Sequence, residues 1–79
     1  MKTTFFLVVG TYAHTSFVFT RTCELSFVPF VGMRIDPGDG FLYTVKAVDF
    51  SVTDGTLSID FEPDDTVSKL HLYATGWSS

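Results

Sequence analysis

The stretch of residues 31–61 most constrains the fold of this chain, because it holds three strand-like runs joined by two turns. Its second turn is Asp54-Gly55, a pair that supplies the positive-φ positions of a two-residue type I′ β-hairpin. This turn predicts that Val52 faces Leu57, and it fixes the pairing further along both strands. The predicted inward face carries the apolar residues Val48, Phe50, Val52, Leu57, Ile59 and Phe61. The predicted outward face carries Asp49, Ser51, Ser58 and Asp60.

The strand before this hairpin changes its apolar parity between Val45 and Val48. A β-bulge near Lys46 and Ala47 would resolve the change and keep the ammonium group out of the core. Small barrels use such bent strands to pass from one sheet to the other. The preceding turn, residues 36–40 (DPGDG), combines a proline, two glycines and two aspartates that can accept nearby backbone N–H groups. We therefore expect an all-β domain.

The pattern of apolar residues predicts the remaining strands. Residues 2–9 are apolar on both faces, and residues 15–27 alternate well except that Arg21 interrupts the apolar row. This arginine indicates either a bend or an acidic partner across the sheet. A short strand follows at residues 33–35, and residues 66–75 (TVSKLHLYAT) alternate as a closing or edge strand.

Residues 28–31 read as a connection, because Pro29 cannot donate to a ladder. We expect Phe27 and Phe30 to hold this connection against the core.

The length of 79 residues indicates one domain, residues 1–79, of modest stability. The nine Phe, three Tyr and one Trp exceed what so small an interior readily holds, so some rings should lie at the surface. Cys23 is the only cysteine, which excludes an intrachain disulfide and favours the cytoplasm. The first apolar run is short for a signal peptide, and none approaches the roughly 20 residues of a membrane span.

Charge is distributed unevenly. Residues 1–35 carry three cations against one acid, and residues 36–79 carry two cations against eight acids, so +2 and −6 give the net charge of −4. This balance argues against direct binding of nucleic acid, which depends on Lys and Arg contacts to phosphates. It suits a basic protein partner, for which the candidate acidic residues are Asp49, Asp60, Glu62, Asp64 and Asp65.

Candidates for chemistry are sparse. Cys23 falls on a predicted inward face as an inert thiol, and the two histidines, His14 and His71, are far apart in sequence. Asp36, Asp39 and the 64–65 pair could suit a hard cation, but turn chemistry already accounts for the first two. We therefore expect no enzyme activity, no catalytic residue, no metal site and no cofactor.

The most suggestive group for a partner lies on or just after the predicted edge strand 66–75. It consists of Lys69, His71, Tyr73 and Trp77. Aromatic residues beside an unpaired strand edge are typical of interfaces formed by strand addition. The alternative for Trp77 is that it caps the open end of the barrel.

Short motifs link the chain to a known fold. The residues that carry them are Pro29, Val31, Gly32, Ile35, Tyr43, Val45 and Val48. Their order resembles that of small stand-alone SH3-like barrel proteins of bacteria and phages. The resemblance covers residues 2–62 and leaves the strand 66–75 as an addition. It implies a barrel of five or six mostly antiparallel strands whose ligands meet loops and exposed aromatic residues around one end, and it implies no activity.

The sequence thus favours a non-catalytic protein-interaction or assembly module, able to self-associate through the 69–73 edge and of phage or mobile-element type. One alternative is an acidic inhibitor of a basic, nucleic-acid-handling enzyme. Another is a virion or assembly subunit.

Overall fold

The computed structural model describes residues 1–11, 15–64 and 67–78. These residues form five strands and one helix: β1 Lys2–Thr11, β2 Thr15–Glu24, β3 Arg34–Ile35, β4 Tyr43–Ser51, β5 Thr56–Phe61 and α1 Lys69–Ala74. The strand order in the sheet is β2-β1-β5-β4-β3. β1 runs parallel to β5, and the other three neighbouring pairs are antiparallel. The sheet curls into a half-barrel, so the all-β prediction is confirmed.

The predicted bulge in β4 is also confirmed, because the ladder between β4 and β5 shifts register between Val45 and Ala47. Lys46 at the bulge is exposed, whereas Tyr43 and Val45 before it are buried. The extra residue lets two runs of opposite parity both direct apolar side chains toward the core.

The hairpin between β4 and β5 forms, but its predicted register is wrong. Phe50 rather than Val52 pairs with Leu57, and residues 52–55 form a four-residue loop. The backbone N–H of Gly55 donates to the Ser51 carbonyl at 2.9 Å, so the turn closes earlier than a two-residue hairpin would. A shift of two residues preserves the alternation of faces. Leu57, therefore, stays buried as predicted, while Val52 moves into the turn and is 86% exposed.

The core is an aromatic cluster on the concave side of the sheet. Phe61 stacks on Phe5 with ring centroids 5.1 Å apart and on Tyr43 at 5.2 Å. Trp77 meets the Tyr43 ring edge-on at 6.0 Å, which adds the end of the chain to the cluster. Offset and edge-to-face ring pairs of this kind stabilise a core beyond the burial of their area.

The C-terminal segment is a helix, so the predicted strand over residues 66–75 is wrong. Ser68 begins α1 as its N-cap, with its side-chain oxygen accepting the His71 N–H at 3.1 Å. Gly76, at φ +101°, ends it, and the Trp77 N–H donates to the Leu72 carbonyl at 3.0 Å, as in a Schellman motif. The buried Leu72 and Trp77 then anchor the segment in the core.

The connection after β2 also differs from its prediction. Phe27 and Phe30 do not hold it to the core, because they are 46% and 62% exposed. The buried residue is Pro29 between them.

The Arg21 side chain reaches from β2 to the C-terminal end of α1. β2 is continuous past it, so the predicted bend is wrong, and the principal partner of the guanidinium group is the Thr75 backbone carbonyl rather than an acidic side chain. A carbonyl at a helix C-terminus carries partial negative charge and attracts a cation. The guanidinium group lies so close to Gly38 and Gly76 that a Cβ atom there would come within 2.8 Å and 3.0 Å of it.

Candidate functional site

Trp77 is structural in this fold, because it is only 2% exposed. Its indole N–H donates to Asp39 Oδ2 at 2.9 Å, and the Tyr43 hydroxyl donates to the same oxygen at 2.6 Å. Asp39 Oδ1 accepts the Phe41 N–H at 2.9 Å. The prediction that Trp77 anchors an interface is therefore wrong, and the alternative that it packs back onto the barrel is correct. Asp39 joins the 36–40 turn, β4 and the C-terminal segment.

The same network raises the pKa of the Tyr43 phenol, first through burial and then through the hydrogen bond to the Asp39 carboxylate. Asp36, the other aspartate of the turn, accepts the Gly38 and Gly40 N–H groups at 2.8 and 3.1 Å. These two backbone donors hold the pKa of the Asp36 carboxyl below its usual value. The turn chemistry predicted for Asp36 is confirmed, whereas Asp39 has the further structural role that the sequence did not reveal.

The other three residues predicted to bind a partner do not share one surface. Lys69 places its Nζ 3.3 Å from the centre of the Phe17 ring, and Tyr73 packs edge-on against Phe19 at 5.3 Å. His71 faces the opposite way along α1, toward the 36–42 segment. Since α1 is a helix, the free strand edge predicted at residues 69–73 is absent, whereas self-association itself stays a prediction.

His71 packs against the Phe41 ring with centroids 4.5 Å apart, and its Nε2 lies 3.2 Å from the Asp39 carbonyl oxygen. Because a carbonyl oxygen can only accept, Nε2 carries the hydrogen in this contact. The histidine thus orients α1 on the turn rather than acting as a free base at this nitrogen.

A groove of about 560 Å³ opens beside His71, within the size range of small-molecule sites. Its lining residues are Arg34, Gly40, Phe41, Leu42, Asp64, Val67, Ser68 and His71. The groove therefore brings together two predicted residues, His71 and Asp64. The Ser68 hydroxyl oxygen accepts the His71 backbone N–H, which is helix capping and not the geometry of a nucleophile beside a base.

The predicted acidic residues divide between two places. Asp49 lies opposite Ser58 and Asp60 opposite Ala47, so the direct pairing of Asp49 with Asp60 is wrong, although both lie on the outer face of the sheet. Glu62 is exposed just after β5, and Asp64 lines the groove. Asp65, like His14, lies outside the described residues. In the described part of the chain, no three His, Cys, Asp or Glu side chains converge on a possible metal position.

Cys23 is half-buried beside the core, and burial raises the pKa of its thiol. A thiol with a raised pKa is a poor nucleophile at neutral pH. This placement agrees with the prediction of an inward-facing cysteine.

Comparison with protein-family models, curated proteins and solved structures finds no match to this chain. The one helix in the described ranges has six residues, too few to cross a membrane.

Half of the large apolar side chains that are exposed in the described residues lie in the connection after β2 and around the β4–β5 turn. The pairing places Cys23, Thr3, Leu57 and Phe50 in one row across four strands, so the connection after β2 starts level with the β4–β5 turn. It then runs to the beginning of β4, where the Gly32 N–H donates to the Val45 carbonyl. Six large apolar side chains are exposed in these two segments: Phe27, Val28, Phe30, Val31, Phe50 and Val52. We name this set the apolar rim.

The rim residues are between 46% and 86% exposed, which corresponds to on the order of 600 Å² of apolar surface. The sequence signal for this site was the surplus of aromatic residues, which predicted exposed rings without identifying them.

Proposed function

We propose that this protein is a non-catalytic protein-interaction module that contacts its partner through the apolar rim. The observation that carries this proposal is the exposure of six large apolar side chains in two short segments, the connection after β2 and the region of the β4–β5 turn. Exposed large apolar residues grouped in this way are typical of protein interfaces.

The rim is held in place before any partner binds. The connection after β2 is fixed by Pro29, which is buried, and by two hydrogen bonds of 2.8 Å that join Gly32 and Met33 to Val45. The Met33 N–H also donates to the Phe30 carbonyl at 3.0 Å. A pre-ordered surface loses little conformational entropy on binding, so more of its apolar burial contributes to affinity.

The expected affinity is moderate. Full burial of the rim would contribute up to about 15 kcal/mol at roughly 25 cal/mol per Å². Association itself costs an estimated 4–15 kcal/mol in lost translational and rotational freedom and in desolvation. The balance favours reversible binding, which suits an interaction module.

The SH3-like resemblance belongs to this proposal as well. A five-stranded, mostly antiparallel half-barrel supports it, as does the position of exposed aromatic residues and loops at one end. We propose an SH3-like relationship on this basis, with α1 as an addition outside the resembling part of the chain.

Site-specific photo-crosslinking tests the function. A photoreactive amino acid replaces Phe30 in one version and Leu70 in another, and each is irradiated in the cells that express the chain. Leu70 is the matched control because it is an apolar residue on α1 with 82% exposure. Protein adducts at position 30 and not at position 70 are expected. Equal labelling at both positions, or none at position 30, would contradict the proposal.

A second candidate function, inhibition of a basic nucleic-acid-handling enzyme, is favoured by Asp49 and Asp60 lying on the same outer face. Their replacement by lysine should weaken binding to such an enzyme, and rising salt should weaken it further. Binding that survives both changes would exclude this electrostatic function.

A further inference from the structure

We propose that the edge of β4 over residues 47–51 binds an extended, basic peptide segment of a partner protein, which adds to the sheet as a further strand. This inference rests on the proposed function, because Phe50 belongs to the apolar rim. It adds the mode of contact and the chemistry of the partner.

One side of β4 is paired only near its beginning. β3 pairs with the first two residues of β4, and the last backbone hydrogen bonds on that side join Val45 to Gly32 and Met33 at 2.8 Å each. On its other side β4 pairs with β5 as far as Ser51. Residues 47–51 therefore form an edge beside which the described ranges of the chain place no paired strand.

The backbone groups of this edge are directed away from the sheet. The Ser51 carbonyl accepts the Gly55 N–H inside the hairpin at 2.9 Å, so the polar backbone groups of Ser51 face β5. Successive residues of a strand turn their N–H and C=O groups to opposite sides, so those of Phe50 and Val48 face away from β5. Within residues 1–11, 15–64 and 67–78 these groups have no backbone partner on that side. An added strand would pair with them.

The side chains along this edge are accessible. Lys46 and Asp49 are exposed, and Phe50 is 53% exposed. The other edge strand of the sheet, β2, is obstructed at its middle, because Thr20 exchanges two hydrogen bonds of 2.7 and 2.9 Å with Ser78. The edge of β4 is thus the better place for strand addition.

Charge and polarity select the kind of segment that fits. β4, β5 and the residue after β5 carry three acids, Asp49, Asp60 and Glu62, against one cation, Lys46. Asp49 makes no ion pair with another described residue. Since Val48 packs against the core and Phe50 follows it on the same face, the other face of an added strand meets apolar side chains. A strand that alternates apolar and basic residues complements both faces.

A second copy of β4 does not meet this requirement. A twofold contact between two β4 edges is antiparallel, and its bonded positions would pair Val48 and Phe50 with themselves or with each other. These registers place Asp49 opposite Ala47, a second Asp49 or Ser51. None of them offers a cation to Asp49, so the basic segment belongs to a different protein.

Amide hydrogen exchange followed by NMR tests the open edge. In the free protein the Val48 and Phe50 amides should exchange much faster than the Asp49 amide, which faces β5. A short peptide in which valine and lysine alternate should slow exchange at Val48 and Phe50. The same peptide with N-methyl groups on alternate residues, which removes the donors of one strand edge, should leave these two amides fast.

Charge variants test the chemistry of the partner. The dissociation constant of the valine–lysine peptide should rise about five- to tenfold in Asp49→Lys, because an attraction becomes a repulsion. Asp54→Lys is the matched control, since it changes the net charge equally at an exposed position in the β4–β5 loop. Its dissociation constant should change less than about twofold at physiological salt, where charges screen beyond about 8 Å. A peptide that alternates valine and glutamate should bind the wild type more weakly than the lysine peptide.

The outcomes separate this inference from the proposed function. Slow exchange of Val48 and Phe50 in the free protein, or unchanged exchange with the lysine peptide, would overturn strand addition at β4. Equal binding of the lysine and glutamate peptides would overturn the basic partner. In each of these cases, adducts at position 30 and not at position 70 would leave the proposed function standing. Absence of such adducts would overturn the proposed function whatever the exchange rates show.

Discussion

Replacing Asp39 with alanine tests how the C-terminal segment is held to the sheet. The carboxylate accepts three hydrogen bonds, two from the Tyr43 hydroxyl and Trp77 indole on one oxygen and one from the Phe41 N–H on the other. Asp39 is 7% exposed, and Tyr43 and Trp77 are less exposed still. Water therefore cannot replace the lost acceptor without opening the core.

The magnitude follows from these contacts. Each of the two buried donors left without an acceptor costs about 1–3 kcal/mol. Part of this cost is offset, because the variant no longer buries a carboxylate. We expect Asp39→Ala to lower the free energy of unfolding by about 2–4 kcal/mol, a large share of the total for a chain of 79 residues.

Urea unfolding followed by Trp77 fluorescence measures this effect, because Trp77 is the only tryptophan and is buried. With a slope of about 1 kcal/mol per molar for so small a domain, the midpoint should fall by about 2 M or more. Asp36→Ala is the matched control, since Asp36 lies in the same turn but is exposed. If Asp39→Ala shifted the midpoint no more than Asp36→Ala, the network would not hold the C-terminal segment.

Three further predictions follow from single contacts. Val52→Asp should change the free energy of unfolding by less than about 0.5 kcal/mol, because the side chain is 86% exposed; a urea melt that showed an unfolded variant would restore the two-residue hairpin register. Gly38→Ala should be more destabilising than Gly40→Ala in thermal melts, since both residues have positive φ but only Gly38 meets the Arg21 guanidinium group; equal losses would show that Arg21 moves aside freely. The raised pKa of Tyr43 means that the unfolded state loses its phenol proton first as pH rises. Stability is then fully present below about pH 10 and falls above it by up to about 1.4 kcal/mol per pH unit, a slope that Tyr43→Phe should reduce in urea melts.

The strands were predictable because their information is local. A continuous apolar run located β1, alternation located β2, and the parity change around Lys46 revealed the bulge in β4. The hairpin register was not predictable from Asp54-Gly55 alone. A slip of two residues keeps the same side chains on the same face, so the hydrophobic pattern could not distinguish the two registers.

The helix was missed because six residues are too few to reveal a period. Leu70, Leu72 and Ala74 alternate as in a strand, yet only Leu72 of the three is buried. The available signals were the capping residues, Ser68 before the helix and Gly76 after it. Tertiary contacts of Trp77 then decide the conformation, and these contacts are not visible in sequence.

The candidate site was only partly predictable, because exposure depends on where the chain is anchored. Phe27 and Phe30 look like anchors by composition, but Pro29 occupies the buried position between them. The sequence correctly indicated that some aromatic rings lie at the surface. It placed that surface in the C-terminal segment, where Tyr73 is exposed but Trp77 is buried, and it missed the exposed rings of Phe27, Phe30 and Phe50. The protein-contact function remains a proposal.

The C-terminal segment is anchored in the core by Trp77, whereas the connection after β2 leaves its large apolar side chains exposed. Where β4 begins, α1 and Trp77 cover the aromatic cluster, and Asp39 satisfies the polar groups that this closure buries. The connection after β2 contributes one buried proline and leaves its larger side chains exposed. The C-terminal segment does not cover the rim, so these apolar side chains stay exposed. A segment added to cover the rim should therefore stabilise the monomer and, under the proposed function, abolish binding of a partner.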